Sequence, residues 1–396
     1  MKRTSKRKTL AILVSLILLL LLYLIIKFQY EKNFPHFEPW NCTNATESEL
    51  MSNVECHNNN TKIILFYTPW FGLKPWPADF ASTDLFHANC PEWKCKITYN
   101  FYDMGKSDLI IFHAPDMPRF VSPKELQQIH KYRCPSQRMA FLSSESPQTE
   151  PLDDIVIPDG FFNWTITFKT DSDFHFPYGL YVRLPPAENP STSINFAANK
   201  TKLVLWAVSH CGTIREKYVK KLLNYINVDI YGSCSHIYGQ DNQCSKSSNC
   251  DDIFKPYKFT LAFENGVCTD YITEKFWISL SRNSVPVVLA KDYYSADVVP
   301  PGSFISVQDF PSVKALAEYL LYLDKNNTAY NEYFSWKKTF ADQQSDFNFS
   351  ACDVCDALHD ECLKPKVYFD MFKTFWNEDV DCKKREQMLS RLIEKE

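Results

Sequence analysis

Apolar runs of four to eight residues alternate with stretches of helical spacing along most of this chain. Ile63–Tyr67, Ser107–His113 and Met139–Leu142 read as buried strands. Between the last two, Ser122 supplies an N-cap and Pro123 takes the first helical position; Leu126, Ile129 and His130 follow at helical spacing. Continuous apolar runs separated by helices indicate a parallel sheet covered on both faces. From Pro147 to Pro190 seven prolines break the pattern, which predicts an irregular connection along the surface or a cleft. The alternation then resumes. Strands are expected at Lys202–Ser209, Val228–Gly232, Phe259–Phe263 and Ser284–Leu289, and helices at Ile214–Ile226, Thr273–Leu280 and Val313–Leu323. The fold class is therefore α/β, with two Rossmann-like doubly wound domains facing a cleft and a ligand between them.

The N-terminus follows another rule. Lys2, Arg3, Lys6, Arg7 and Lys8 precede Leu10–Ile26, a run of 17 uncharged residues. As a helix it would be about 25 Å long, the lower limit for spanning a bilayer. No small-residue cleavage site follows, so an uncleaved signal-anchor is expected, with the basic tail cytoplasmic and the remainder lumenal. All 14 cysteines lie between Cys42 and Cys382, as suits an oxidising compartment. Seven glycosylation sequons, at Asn41, Asn44, Asn59, Asn163, Asn199, Asn326 and Asn348, suit a lumenal surface. The net charge is −4, and removing the five tail cations leaves −9. With no basic run beyond the tail, a nucleic-acid partner is excluded.

The candidate chemistry lies at two strand–turn–helix junctions, where loops outside a sheet and helix N-termini receive anionic ligands. One runs from Tyr257 through Phe263-Glu264-Asn265 to Asp270-Tyr271-Ile272-Thr273-Glu274-Lys275. With Asp270 as the cap, Tyr271, Glu274 and Lys275 would share a helix face. The other places Arg215 in the first helical turn after His210-Cys-Gly-Thr213. A forked and a point cation together suit a pyrophosphate. The bland reading of the first junction is an exposed Glu–Lys helix face; the neighbouring tyrosine and the buried strand before it argue against that.

Tyr257–Leu289 closely resembles the donor-binding signature of the α-1,3/4-fucosyltransferases, glycosyltransferase family 10. The resemblance extends over about residues 62–380, through Glu145-Ser-Pro147, Phe162-Asn-Trp-Thr165, Asp171-Ser-Asp173, Pro177-Tyr-Gly179, Trp206–Arg215, Asp229-Ile-Tyr-Gly232 and Cys352-Asp-Val-Cys355. It implies a type II Golgi membrane enzyme of the GT-B fold, transferring L-fucose from GDP-fucose with inversion to an acceptor glycan containing N-acetylglucosamine. Carried over, Glu145 would be the general base, and Arg215 and Lys275 would hold the pyrophosphate. Asn265, Tyr271 and Glu274 would contact the nucleotide or fucose, with Ser209 lining the pocket. Glu274 would also steady positive charge on the sugar ring. No cofactor is required, and Mn2+ or Mg2+ enters only as a stimulant. Oligomeric state is left open.

This chain departs from the family pattern at Gly266, commonly serine, at Asn283-Ser284, commonly Ala-Gly, at Phe168-Lys-Thr170, commonly Tyr-Arg-Arg, and at His210, often asparagine. The implied division is a tail (1–9), an anchor (10–26), a lumenal stem (27–61), an acceptor-side domain with the Pro-rich connection (62–190), a donor domain (191–350) and a disulfide-rich segment returning toward the first domain (351–396). In the family the Cys352/Cys355 pair bridges back to the first domain, which makes Cys90, Cys95 or Cys134 the partners.

Rival readings are a metal pair at Asp171 and Asp173, a catalytically silent membrane-anchored carbohydrate-binding protein, and an enzyme using another nucleotide sugar. No metal ligand set is expected. His113, at a strand end on the cleft side, is the histidine placed to matter.

Overall fold

The computed structural model describes residues 61–77, 94–149, 155–185, 194–240, 250–343, 351–360 and 366–394, with Leu152, Asn242 and Cys244. The expected anchor and stem, and the sequons at Asn41, Asn44, Asn59 and Asn348, lie outside these residues. Among the described residues no helix is long and apolar enough to cross a membrane.

Two parallel sheets organise the chain. The first contains β1 (Lys62–Phe66), β2 (Cys95–Thr98), β3 (Leu109–His113), β4 (Arg138–Ser143), β5 (Trp164–Thr167) and β6 (Phe174–His175), in the order β2-β1-β3-β4-β5-β6. Every residue of β3 and β5 is buried, as strands covered on both faces must be. Between β3 and β4, α1 (Pro123–Tyr132) opens with a full capping box: Ser122 Oγ accepts from Glu125 N at 3.2 Å, and Glu125 Oε2 accepts from Ser122 N at 3.2 Å.

The second sheet contains β8 (Lys202–Ala207), β9 (Asp229–Tyr231), β10 (Tyr257–Leu261), β11 (Val285–Val288) and β12 (Ile305–Ser306), in the order β12-β11-β10-β8-β9. Helices α2 (Ile214–Leu222), α3 (Cys250–Phe254) and α4 (Glu274–Ser281) connect its strands, and α5 (Val313–Lys325) follows β12. Both sheets reverse strand order beside their first strand, at β1/β3 and at β8/β10. Such switch points open a crevice beyond the strand ends where ligands bind.

The Pro147–Pro190 stretch is not the irregular connection its prolines predict. It supplies β5 and β6 to the first sheet, and then β7 (Leu180–Arg183), which pairs antiparallel with β13 (Phe340–Gln343). The prolines flank short β-branched and aromatic runs, and pairing with a buried neighbour overrides the local breaks.

The C-terminal segment divides its attachments. α6 (Ala351–His359) packs on the first sheet and is tied to β2 by the Cys95–Cys355 disulfide, one of the three pairings the resemblance allowed. α7 (Lys383–Glu394) instead buries Leu389 and Ile393 in the second domain's core, so only part of 351–396 returns to the first domain. Cys268–Cys382 fastens the loop between β10 and α4 to the start of α7. From that loop Cys268 and Tyr271 pack into the first domain's core beside Phe168 and Trp376. The domains are thus joined at the site.

Candidate active site

The strand-order reversal between β8 and β10 leads into a cavity of about 390 Å3. Ser209 and His210 follow β8, Arg215 projects from the first turn of α2, Asn265 follows β10, and Glu274 and Lys275 open α4; all six line this cavity. Five of the six sequence-predicted donor residues therefore meet in one space. Tyr271 does not line it.

Arg215 is only 2% exposed. Its Nη1 donates to Phe263 O at 2.8 Å and its Nη2 to His210 O at 2.7 Å, while Nε has no partner among the described residues. Burial lowers its pKa, with Glu264 and Glu216 acting the other way, and a guanidinium remains charged under either influence. The fork is held by backbone carbonyls of both junction loops, with N–H groups still unused.

α4 begins at Glu274, one residue from the start that the spacing predicts, but its cap differs. Thr273, not Asp270, is its N-cap. Asp270 adopts a left-handed backbone (φ 60°), and its carboxylate accepts from Thr170 N at 2.9 Å and Thr170 Oγ1 at 2.7 Å. Tyr271 consequently lies outside the helix and turns toward the first domain instead of sharing a face with Lys275. Its hydroxyl lies 2.7 Å from Glu145 Oε2 and 3.2 Å from Asn265 Oδ1. Burial, with the nearby Tyr178 and Glu145, holds the Tyr271 pKa well above that of a free phenol, so it stays a hydrogen-bond donor. Glu145 is half-buried just past the end of β4, and Thr149 Oγ1 also donates to its Oε2, at 3.4 Å.

The residue that sequence reasoning missed is Glu264. Only 3% exposed, its carboxylate accepts from Thr273 N at 2.8 Å and Thr273 Oγ1 at 2.8 Å, and it pairs with Lys275 Nζ at 3.1 Å. Burial raises the Glu264 carboxyl above its ordinary range, with Lys275 pulling it back. For Lys275 burial acts downward, but Glu264 and Glu274 outweigh it and keep the ammonium charged. A charge directly after the apolar run Leu261–Phe263 was the available signal.

Two close approaches fit the domains together. A Cβ on Gly266 would lie 2.5 Å from Ser146 Oγ, and one on Gly179 would lie 2.3 Å from the Trp277 ring of α4. Gln148 Oε1 accepts from Val267 N at 3.1 Å beside the first of these. The segment carrying Glu145 therefore sits directly on the loop carrying Asn265, and no domain closure is needed to bring them together.

Other expectations fare differently. Asp173 accepts from Thr165 N at 2.8 Å, from Tyr368 OH at 2.7 Å and from Lys366 Nζ at 2.8 Å, while Asp171 is exposed; the two do not form a metal pair. The Cys/Glu and Cys/His clusters near β9 and α6 contain cysteines already joined as Cys211–Cys234 and Cys95–Cys355. His113 is fully buried, its Nδ1 lying 2.6 Å from Asp116 Oδ2 and its ring tilted against that of Trp70, 4.3 Å between centroids.

Asn163 is not placed to carry a glycan. It is 3% exposed; its Oδ1 accepts from Met139 N at 2.9 Å and its Nδ2 donates to Lys366 O at 2.9 Å. Asn199 is exposed. Asn326 is half-buried and caps the helix Asn327–Glu332 through Oδ1.

In sequence, the chain is similar to known fucosyltransferases. The family model described as glycosyltransferase family 10 (fucosyltransferase) C-term matches residues 197–374, and that described as fucosyltransferase, N-terminal, matches residues 59–179. Glycoprotein 3-alpha-L-fucosyltransferase A of Drosophila melanogaster is 34% identical over 328 residues, covering 78% of this chain and 59% of its own length. Alpha-(1,3)-fucosyltransferase fut-6 of Caenorhabditis elegans is 31% identical over 371 residues, covering 87% and 90%. A crystal structure of an α1,3-fucosyltransferase is 15% identical with a TM-score of 0.46, covering 78% of this chain and 92% of that one.

Proposed function

This chain belongs to glycosyltransferase family 10, the fucosyltransferases, and from that premise we propose that it transfers L-fucose from GDP-β-L-fucose, with inversion, to the 3-hydroxyl of N-acetylglucosamine in a glycan. The observation that carries this reading is the meeting of Arg215 and Lys275 in one cavity, with Glu145 linked to the cavity-lining Asn265 through the Tyr271 hydroxyl.

In this reading the diphosphate rests against the unused N–H groups of Arg215 and the ammonium of Lys275, near the N-termini of α2 and α4. As the bond between fucose C1 and the phosphate oxygen breaks, its electron pair leaves with GDP, and both cations stabilise the developing negative charge. Positive charge grows on the sugar ring, where the Glu274 carboxylate opposes it. The acceptor O3 attacks C1 from the opposite face and gives its proton to Glu145, which later returns it to water. Tyr271 keeps the Glu145 carboxylate aimed. The two parallel domains would then be the GT-B arrangement. No metal is needed for charge neutralisation.

We place the protein in the Golgi membrane, type II, anchored by Leu10–Ile26. Protease digestion of sealed vesicles tests this: the folded domains should be protected until detergent is added, and cleavage before that sinks the topology. The activity is tested by incubating the full-length chain with GDP-fucose and defined N-glycans. Acceptor-dependent GDP release, with mass spectrometry locating fucose on O3, is expected. Donor binding without turnover would favour the carbohydrate-binding alternative, and preferential use of another nucleotide sugar would replace the donor.

A further inference from the structure

An ammonium has three N–H bonds, and those of Lys275 are all engaged. Their acceptors are Thr273 Oγ1 at 2.9 Å, Glu264 Oε2 at 3.1 Å and Glu274 Oε1 at 3.1 Å. A diphosphate that accepts from Lys275 must therefore displace one of them. The three are not equivalent. Glu264 is 3% exposed, and losing Lys275 would strand its carboxylate in the interior. Thr273 is held by Glu264 and caps α4. The Glu274 side chain is 52% exposed, so on release its carboxylate simply regains water.

We propose that Glu264 is a positioning residue of the donor site, holding Lys275 at the cavity wall directly and through Thr273, so that an incoming diphosphate displaces Glu274 alone. The displaced Glu274 carboxylate is thereby freed beside the sugar at the moment the donor is seated. This inference rests on the cavity being a nucleoside-diphosphate-sugar site. It adds a reason why a buried carboxylate stands where an anion must bind: without it, two neighbouring cations would meet in the interior uncompensated, and Lys275 would follow Glu274 toward water.

The experiment uses the full-length chain, GDP as the binding probe and GDP-fucose turnover. Glu264→Gln keeps an acceptor for Thr273 N but removes the charge. Its Kd for GDP should rise about tenfold, and kcat should fall as well, because Lys275 both seats the diphosphate and stabilises the leaving group. In a Lys275→Ala background the same substitution should add almost nothing, since Glu264 acts through Lys275.

A pH profile separates positioning from a general structural role. The charged groups that act on Lys275 are Glu264, Glu274 and Arg215, while Glu264 interacts electrostatically with Glu274, Arg215, Tyr178, Tyr271, Tyr293 and Tyr294. Removing Glu264 leaves burial opposed by Glu274 alone. GDP affinity of Glu264→Gln should therefore decline with rising pH at a lower pH than that of the wild type. Glu264→Asp keeps the charge and should show an intermediate Kd without the new pH limb; it also decides the matter if thermal melts show that Glu264→Gln is unfolded. A wild-type Kd in both variants, a loss fully additive with Lys275→Ala, or an unchanged pH profile overturns the proposal. Failure of the wild type itself to bind GDP would instead overturn the functional reading beneath it.

Discussion

Glu145 and Tyr271 stand 126 positions apart in the sequence, yet one hydrogen bond of 2.7 Å joins them. That contact gives the proposed base a fixed orientation before any substrate arrives. Glu145→Gln retains the shape and removes the basicity. GDP affinity should stay within about twofold of wild type and kcat should fall by about 10²–10⁴; near-normal turnover would require another base. Asn163 makes the opposite point, because its sequon is intact but its amide is built into the core. Peptide mapping after enzymatic deglycosylation in heavy-oxygen water should find Asn163 unconverted and exposed Asn199 converted. Labelled Asn163 would mean that the amide is accessible before β5 pairs.

Among the loops and helices, the decisive fit is between the segment after β4 and the loop before α4. Gly266 stands against Ser146, so an added methyl pushes the Glu145 segment away from the cavity. Gly266→Ala should lower kcat/KM by up to about 10²-fold, the scale of an ångström-sized misplacement. Adding Ser146→Ala removes the facing hydroxyl and should recover most of the loss. If the double variant is no better than the single one, the spacing argument fails. The same fit explains why Thr273, and not Asp270, caps α4. Once Asp270 is engaged by Thr170 of the first domain, the helix can begin only at the next capping residue, Thr273, which turns Tyr271 toward Glu145.

For the molecule as a whole, stability should depend on pH through a group far from the chemistry. Glu125, in the capping box of α1, accepts from Tyr67 OH, and burial pushes its pKa from 4.5 up to about 7. Between those values the folded chain holds a proton that the unfolded chain has lost. The group therefore favours the fold near pH 5, and this contribution is lost as pH rises through about 7. The difference is at most about 3 kcal/mol. His113, His130 and His175, each lowered by burial, act in the opposite sense on the acid side. Comparing Glu125→Gln with wild type at each pH isolates the carboxyl. The melting-temperature difference should shift in favour of the variant from pH 5 to pH 8, and a constant difference would sink the assignment.

Much of this architecture was legible locally. Apolar runs located three of the six strands of the first sheet and four of the five of the second, Ser122 and Pro123 marked the start of α1, and the two junctions placed Arg215 and Lys275 at neighbouring strand ends. Those features depend on spacing within about ten residues, where backbone geometry and side-chain period leave few choices. The amino-acid order alone determined the alternation that makes two parallel sheets and the placing of two cations at strand–helix junctions. Only the tertiary structure decided that Asn163 is interior, that β5 and β6 complete a sheet across a proline-rich stretch, that Thr273 caps α4, and that Glu264 holds Lys275. Each of these is settled by burial against residues distant in sequence, where removing water raises the cost of an unpaired polar group and so selects the partner.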